Sequence, residues 1–540
     1  MRARRRAAAA GALALAAAFG MTGGASAATF SPAPAPVNRG DPHGWTVYHG
    51  NPAGTGVAPS VTAVNTRTRA WTSPSLDGNI YGEPLVFAGR VYVATENDTV
   101  YALSSATGRP VWSRHLGRPV PAGSLACGNI APTVGITGTP VIDRSRREIF
   151  VVADELVRGR PAHIMAGLAT ATGRVEMTRD VDLPGTDPAA QLQRTGLTLD
   201  AGRVVFGMGG NFGDCGNYRG KVEAIPETAG GRPEAFIVDA ARDETEGAVW
   251  MGGAAPVVDR TGHVWVTVGN GSVTSFRHPY DFSDSVLELS PAMRLVQFFA
   301  PRTWATDNAA DADMSTAPAL LPSGQVIASG KSRNVYLLNG ARLGGIGGQQ
   351  FALRSACPDV IDGGIALSGM TVYLPCVTGV IAVRASRSPA SLRLLWRALN
   401  GGGPPIIAAG LVWTIDVSTG TLLGLDPANG RARQQAQIGA EANHFPTPSV
   451  GAGLLLAASA RHVIAFRTSS SRAAAQATPA PGSTTGPAGP AGQSSPTGGG
   501  GISPGAIAGS VLGGLVLLGG GGLLVWRRMA GRRRVQLASR

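Results

Sequence analysis

Residues 81–112 contain Tyr81-Gly82-Glu83-Pro84-Leu85-Val86, then Gly89-Arg90-Val91-Tyr92-Val93-Ala94, then Thr99-Val100-Tyr101-Ala102-Leu103, with Thr107-Gly108 and Trp112 closing the unit. A small-residue turn carrying Pro opens the phrase, and apolar runs separated by Gly turns follow it. Short β-branched and aromatic runs bounded by Gly and Pro are strands. The phrase returns near Thr139-Pro140-Val141, Thr195-Gly196-Leu197, Ala255-Pro256-Val257, Ala317-Pro318-Ala319, Gly363-Gly364-Ile365, Gly403-Pro404-Pro405 and Thr447-Pro448-Ser449. Eight copies across residues 45–467 give one about every 50 residues, the spacing of four-stranded blades. One such sheet cannot cover both of its faces, whereas blades packed radially cover each other and leave only short edges. The predicted fold is all-β, an eight-bladed β-propeller of four-stranded antiparallel blades. The last copy ends at Val463-Ile464-Ala465-Phe466 without room for an outer strand. The segment around Trp45-Thr46-Val47-Tyr48 or Arg69-Ala70-Trp71 is therefore expected to supply it and close the ring.

Outside the repeats the chain reads as delivery and mooring. Residues 1–27 have the order of a signal peptide: Arg2, Arg4, Arg5 and Arg6, an apolar stretch from Ala7 to Phe19, then Ala25-Ser26-Ala27 as a cleavage site. The propeller is assigned to residues 28–467. Residues 468–503, almost wholly Ser, Thr, Pro, Ala and Gly, have too little apolar surface to fold and read as a linker. Residues 504–526 read as a transmembrane helix, because Ala506 to Trp526 is an uncharged apolar run of 21 residues, enough to cross a hydrocarbon core of ~30 Å. Arg527-Arg528 and Arg532-Arg533-Arg534 follow at once, so residues 527–540 are expected to form a basic cytoplasmic tail with the propeller outside the cell.

This arrangement also explains the net charge of +13. Ten arginines lie in the two terminal segments, which contain no acid, and the intervening chain carries only +3. A nucleic-acid protein concentrates basic charge on a folded face, so that partner is rejected. No Cys-x-x-Cys, His-x-x-x-His or Gly-x-Ser-x-Gly pattern occurs, which removes the common zinc and serine-hydrolase signatures. Four cysteines in an exported chain should pair. Of three possible connectivities, Cys127–Cys215 with Cys357–Cys376 is favoured. The first joins two long loops, and the second spans the first two strands of one repeat.

The repeats resemble those of pyrroloquinoline quinone (PQQ) propellers, and Ala102 to Trp112 resembles the docking motif of the quinoprotein dehydrogenases, with Ser104 where that family has Asp. Val249-Trp250, followed by Trp265-Val266-Thr267-Val268-Gly269-Asn270-Gly271, is similar to the family's fourth blade. The resemblance implies Trp250 as a floor under the quinone ring and Asn270 as a calcium ligand. Lys331, in Gly330-Lys331-Ser332-Arg333-Asn334, resembles the basic residue that touches the quinone oxygens. The chain also departs from the pattern. It has no pair of adjacent cysteines, and Gly209-Gly210-Asn211-Phe212-Gly213-Asp214-Cys215 lacks the family's Glu ligand to calcium. Asp281, Asp284, Asp311 and Asp313 lie where the family keeps its catalytic Asp, yet none aligns cleanly, and they read instead as solvated turn residues. A calcium site that lacks a charged ligand binds weakly.

The sequence therefore points to a membrane-anchored extracytoplasmic PQQ-repeat propeller that binds or scaffolds a protein or small-molecule ligand. The alternative is a PQQ- and Ca-dependent quinoprotein dehydrogenase acting on alcohols or sugars, so PQQ and Ca are the cofactors to test.

Overall fold

A computed structural model describes residues 44–238, 244–440 and 445–470, and every structural statement below concerns those residues. The expected signal peptide, the linker beyond residue 470, the 504–526 helix and the basic tail lie outside them. No helix among the described residues is long and apolar enough to cross a membrane.

Each copy of the repeated phrase opens one blade. Blade 1 consists of Leu85–Phe87, Arg90–Thr95, Thr99–Ser104 and Pro110–His115, paired antiparallel in that order. Its first strand is wholly buried and its fourth almost wholly exposed, so the first strand faces the axis and the fourth forms the rim. Blades 2 to 8 open with Val141–Asp143, Thr198–Asp200, Val257–Val258, Ala319–Leu320, Ala366–Ser368, Ile406–Ala408 and Ser449–Gly451. Every one follows directly on a turn identified in the sequence.

Blade 8 closes the ring. Leu454–Ser459 and His462–Ser470 come from the end of the propeller, and the outermost strand, Val61–Thr72, comes from its start. Trp71 stands opposite Ala465, so the expectation attached to Arg69-Ala70-Trp71 holds and the one attached to Trp45–Tyr48 does not. The Trp45 segment crosses the axis instead. Trp45 exchanges backbone hydrogen bonds with Val86 of blade 1 (2.8 and 2.7 Å), and the carbonyls of Thr46, Pro52, Thr55 and Gly56 accept from Ile142, Val258, Leu367 and Ile407. Those donors belong to the inner strands of blades 2, 4, 6 and 7, so residues 44–58 fill the centre of the ring.

Tryptophans bind successive blades at the rim. Trp71 donates through Nε1 to the Ser105 carbonyl (2.8 Å), Trp112 to that of Thr170 (3.0 Å) and Trp396 to that of Pro427 (2.8 Å). Each indole covers a glycine of the next blade. A β-carbon on Gly108, Gly173 or Gly430 would lie 2.4–2.5 Å from it, and all three glycines have positive φ. Glycine is required twice over, for clearance and for backbone conformation.

Both favoured disulfides are present, Cys127–Cys215 and Cys357–Cys376.

Candidate functional site

The face formed by the hairpins between second and third strands, together with the turns leading into the inner strands, gathers chemistry from separate blades. Trp250 lies in the turn before the inner strand of blade 4, packed against Ala190, Tyr218 and Ala248. Gly209 gives its indole room, since a β-carbon there would stand 2.1 Å from Nε1. Lys331, on the second hairpin of blade 5, places its ammonium 5.2 Å from the centre of the Trp250 ring. The same Nζ lies 2.7 Å from Asp311 Oδ1 and 3.0 Å from Asp313 Oδ1. Burial works against the lysine's charge, but Asp313 and Asp311 more than offset it and hold the ammonium charged above its ordinary range.

Asn270 is also at this face. Its Oδ1 is buried without a hydrogen-bond partner, and its Nδ2 approaches Glu246 Oε2 at 3.4 Å. Asp313 reaches the same neighbourhood, because a β-carbon on Gly269 would meet its Oδ2 at 2.6 Å. The structure thus brings Trp250, Lys331 and Asp313 together and sets Asn270 beside them. Three of the four acids expected in solvated turns are in fact buried: Asp281, Asp284 and Asp313, each 2% exposed or less. Asp281 accepts from Ser283, and Asp284 Oδ1 accepts from the Met314 amide at 2.8 Å, so both serve the blade 4 loop. Only Asp311, with a side chain 44% exposed, is the solvated residue that was expected.

The donor set does not fit a calcium–quinone centre. Calcium takes six to eight oxygens, several of them charged. Here Asp313 is already paired with an internal cation, and Asn211, in the stretch that lacks the family's Glu, donates through Nδ2 to the Ala189 carbonyl at 3.0 Å. Asp214, the nearby acid, accepts from the Tyr218 hydroxyl at 2.7 Å. Among the described residues, the only groups of three His, Cys, Asp or Glu side chains close enough to share a metal are Cys357, Asp359 and Cys376, two of which form a disulfide, and Asp259, His263 and Glu288. Neither includes Asp313.

The remaining residues of the mouth carried no local signal in the sequence. Arg194 precedes the inner strand of blade 3 and is 9% exposed. Its guanidinium lies 5.8 Å from the centre of the Tyr81 ring and 5.5 Å from that of Phe445. Gly253 leaves it space, since a β-carbon there would come within 2.4 Å of Nη1. Asp362, in the turn before blade 6, sits beside Gly252 with Oδ1 unpartnered, and burial pushes its carboxyl up to about 7. Burial raises Glu96 of blade 1 to about 8. Tyr48 enters from the axial segment, its hydroxyl 3.3 Å from Thr447 Oγ1. Two small cavities, of about 10 and 30 Å³, lie elsewhere: one against the axial segment, one beside Cys127 and Asn211.

Residues 57–278 match the sequence model of a PQQ-repeat family described as outer membrane protein assembly factor BamB. No curated protein matches the chain in sequence. Among solved structures, the chain is similar to quinohemoprotein alcohol dehydrogenase ADHIIG of Pseudomonas putida HK5, at 13% identity and TM-score 0.60 over 82% of this chain and 83% of that one. The quinohemoprotein alcohol dehydrogenase of Comamonas testosteroni matches at 13% identity and TM-score 0.58, over 80% and 81%. A europium-containing methanol dehydrogenase matches at 12% identity and TM-score 0.59, over 79% and 98%. At such identities the likeness is one of fold and carries no chemistry with it. With eight repeat-built blades and a match to a PQQ-repeat family model over residues 57–278, the described chain is an eight-bladed β-propeller whose first half carries repeats of the PQQ type.

Proposed function

We propose that this protein is an extracytoplasmic binding module, exported by residues 1–27 and moored by residues 504–526, that holds a guest at the axial mouth of its propeller. One observation carries the reading. Trp250 Nε1, Asn270 Oδ1, Gln193 Oε1, Glu96 Oε1 and Asp362 Oδ1, contributed by blades 1, 3, 4 and 6, are all buried without a protein partner. An unsatisfied buried polar group costs about 1–3 kcal/mol, so a guest that bonds several of them binds with that cost removed. The pairing of all four cysteines agrees with an oxidising compartment outside the cytoplasm. The internal pairing of Lys331 favours binding over quinone chemistry.

The test uses the full-length chain. It is titrated with PQQ at millimolar Ca²⁺ while quinone absorption and dye reduction with an alcohol panel are recorded. Thermal shifts are measured in parallel with neutral, cationic and anionic small molecules. Saturable binding of one of these classes, lost in Trp250→Ala and without quinone turnover, is the expected result. Stoichiometric quinone uptake with turnover that disappears in Trp250→Ala would overturn the reading in favour of a dehydrogenase.

A further inference from the structure

Arg194 stands out among the buried charges of the mouth. Among the described residues it makes no hydrogen bond and no ion pair, although more than nine-tenths of its surface is removed from water. Its contacts are the two aromatic rings and the clearance over Gly253. A guanidinium is always charged and presents a rigid fork of donors that matches a carboxylate with two parallel bonds. The two ring contacts hold the guanidinium at the mouth without using any of its N–H donors. The acids whose charge it feels do not pair with it. Glu96 and Asp362 interact with Arg194 only at longer range, and with their carboxyls raised to about 8 and about 7 both retain protons near neutrality.

We infer that Arg194 is an oxyanion receptor at the axial mouth, taking the carboxylate of a small organic acid that carries hydroxyl or amino groups. The second part of that description comes from the other side chains. Gln193 Oε1 is an acceptor in need of a donor, and the unpartnered Glu96 Oε1 and Asp362 Oδ1 belong to carboxyls that can donate when protonated and accept when not. The O–H or N–H groups of a hydroxy or amino acid, which can do both or pair with an acceptor, answer all three. Inorganic phosphate fits less well, because it brings more acceptor oxygens and asks for several donors from a site with one guanidinium. The inference rests on the binding reading above and gives its guest a chemical class.

Titration calorimetry on the full-length chain, at constant ionic strength, compares gluconate and glutamate with glucose, a primary amine and inorganic phosphate. The acids are expected to bind saturably below about 10 mM. Glucose, which has the hydroxyls of gluconate without its carboxylate, should bind at least ~10-fold more weakly, the equivalent of one charge-assisted pair. Arg194→Gln should lose the acid by a similar factor. Arg194→Lys, which keeps the charge and the fold but not the fork, should fall between. Acid binding that is unchanged in Arg194→Gln, or phosphate binding tighter than both acids, would overturn the inference. So would the absence of acid binding up to that concentration. Glucose or amine binding that depends on Trp250 but not on Arg194 would sink the inference and leave the binding reading intact; no binding of any class would end both.

Discussion

His163 holds a charge where almost no water reaches it. It stands on the third strand of blade 2, cross-strand from Asp154, with Nδ1 donating to Asp182 Oδ1 at 2.7 Å and Nε2 lying 3.3 Å from Asp154 Oδ1. Lys221 and Glu223 of blade 3, both 0% exposed and 3.2 Å apart, complete a buried polar seam between the blades. Burial opposes the imidazolium, but Asp154 and Asp182 outweigh it and raise its pKa to about 9. A group with a raised folded pKa stabilises fully below its unfolded value and loses that contribution as pH climbs through the folded one. The stabilisation from His163 is therefore complete below about 6.5 and gone above about 9. Between roughly pH 7 and pH 9.5 the parent should lose on the order of 2 kcal/mol more than His163→Gln, whose side chain cannot titrate. Urea unfolding of both proteins across that range measures the difference. Parallel profiles would show that the imidazole is neutral in the fold.

At the scale of the element, the outer strands of blades 8, 1 and 6 are anchored by the tryptophan each places on its neighbour. Trp112 reaches from the fourth strand of blade 1 to the Thr170 carbonyl and covers Gly173, so one side chain supplies a hydrogen bond and an apolar contact across the blade boundary. Trp112→Ala should destabilise by about 2–4 kcal/mol, less than a fully buried Trp because part of the ring is exposed. Gly173→Val should cost at least as much, since it strains a φ of +69° and drives a side chain into the indole. Guanidinium melts of the two single variants and the double test whether they act on one contact. If they do, the double variant is no worse than the sum, with a coupling of about 0.5 kcal/mol or more. These elements were legible in the sequence because their signals are local: a Pro or Gly turn, an alternating or apolar run, a Thr-Gly followed by Trp. The mouth was not. Arg194, Tyr81, Asp362 and Phe445 are far apart in the chain, and no spacing announces that the ring brings them together. Trp250, Asn270 and Lys331 were visible only through a family resemblance, and that resemblance could not show Lys331 spending its charge on Asp311 and Asp313.

The whole ring depends on two segments from the start of the propeller that do different jobs. Val61–Thr72 is the outermost strand of blade 8 and pairs with His462–Ser470, so it decides whether the ring has an open edge. Residues 44–58 add no outer strand. They bind the inner strands of blades 1, 2, 4, 6 and 7 from within, and Trp45 Nε1 and the His49 amide donate to the buried carboxylate of Glu83 at 3.1 and 2.8 Å. The 44–58 segment escaped a repeat-based reading because it has no repeat of its own, and only a closed ring gives it something to cross. Truncation separates the two roles. A chain starting at residue 60 keeps the closing strand and loses the axial segment. It should remain monomeric and folded, but less stable by several kcal/mol, because the inner strands of five blades lose their backbone partners and the apolar surface under Trp45 is opened to water. A chain starting at residue 73 loses both and leaves His462–Ser470 as an unpaired edge, which is a template for intermolecular pairing. It should elute as aggregate in size-exclusion chromatography under conditions where the longer chain elutes as a monomer. If the chain from residue 73 were a stable monomer, the two ends of the propeller would not be what joins blade 8 to blade 1.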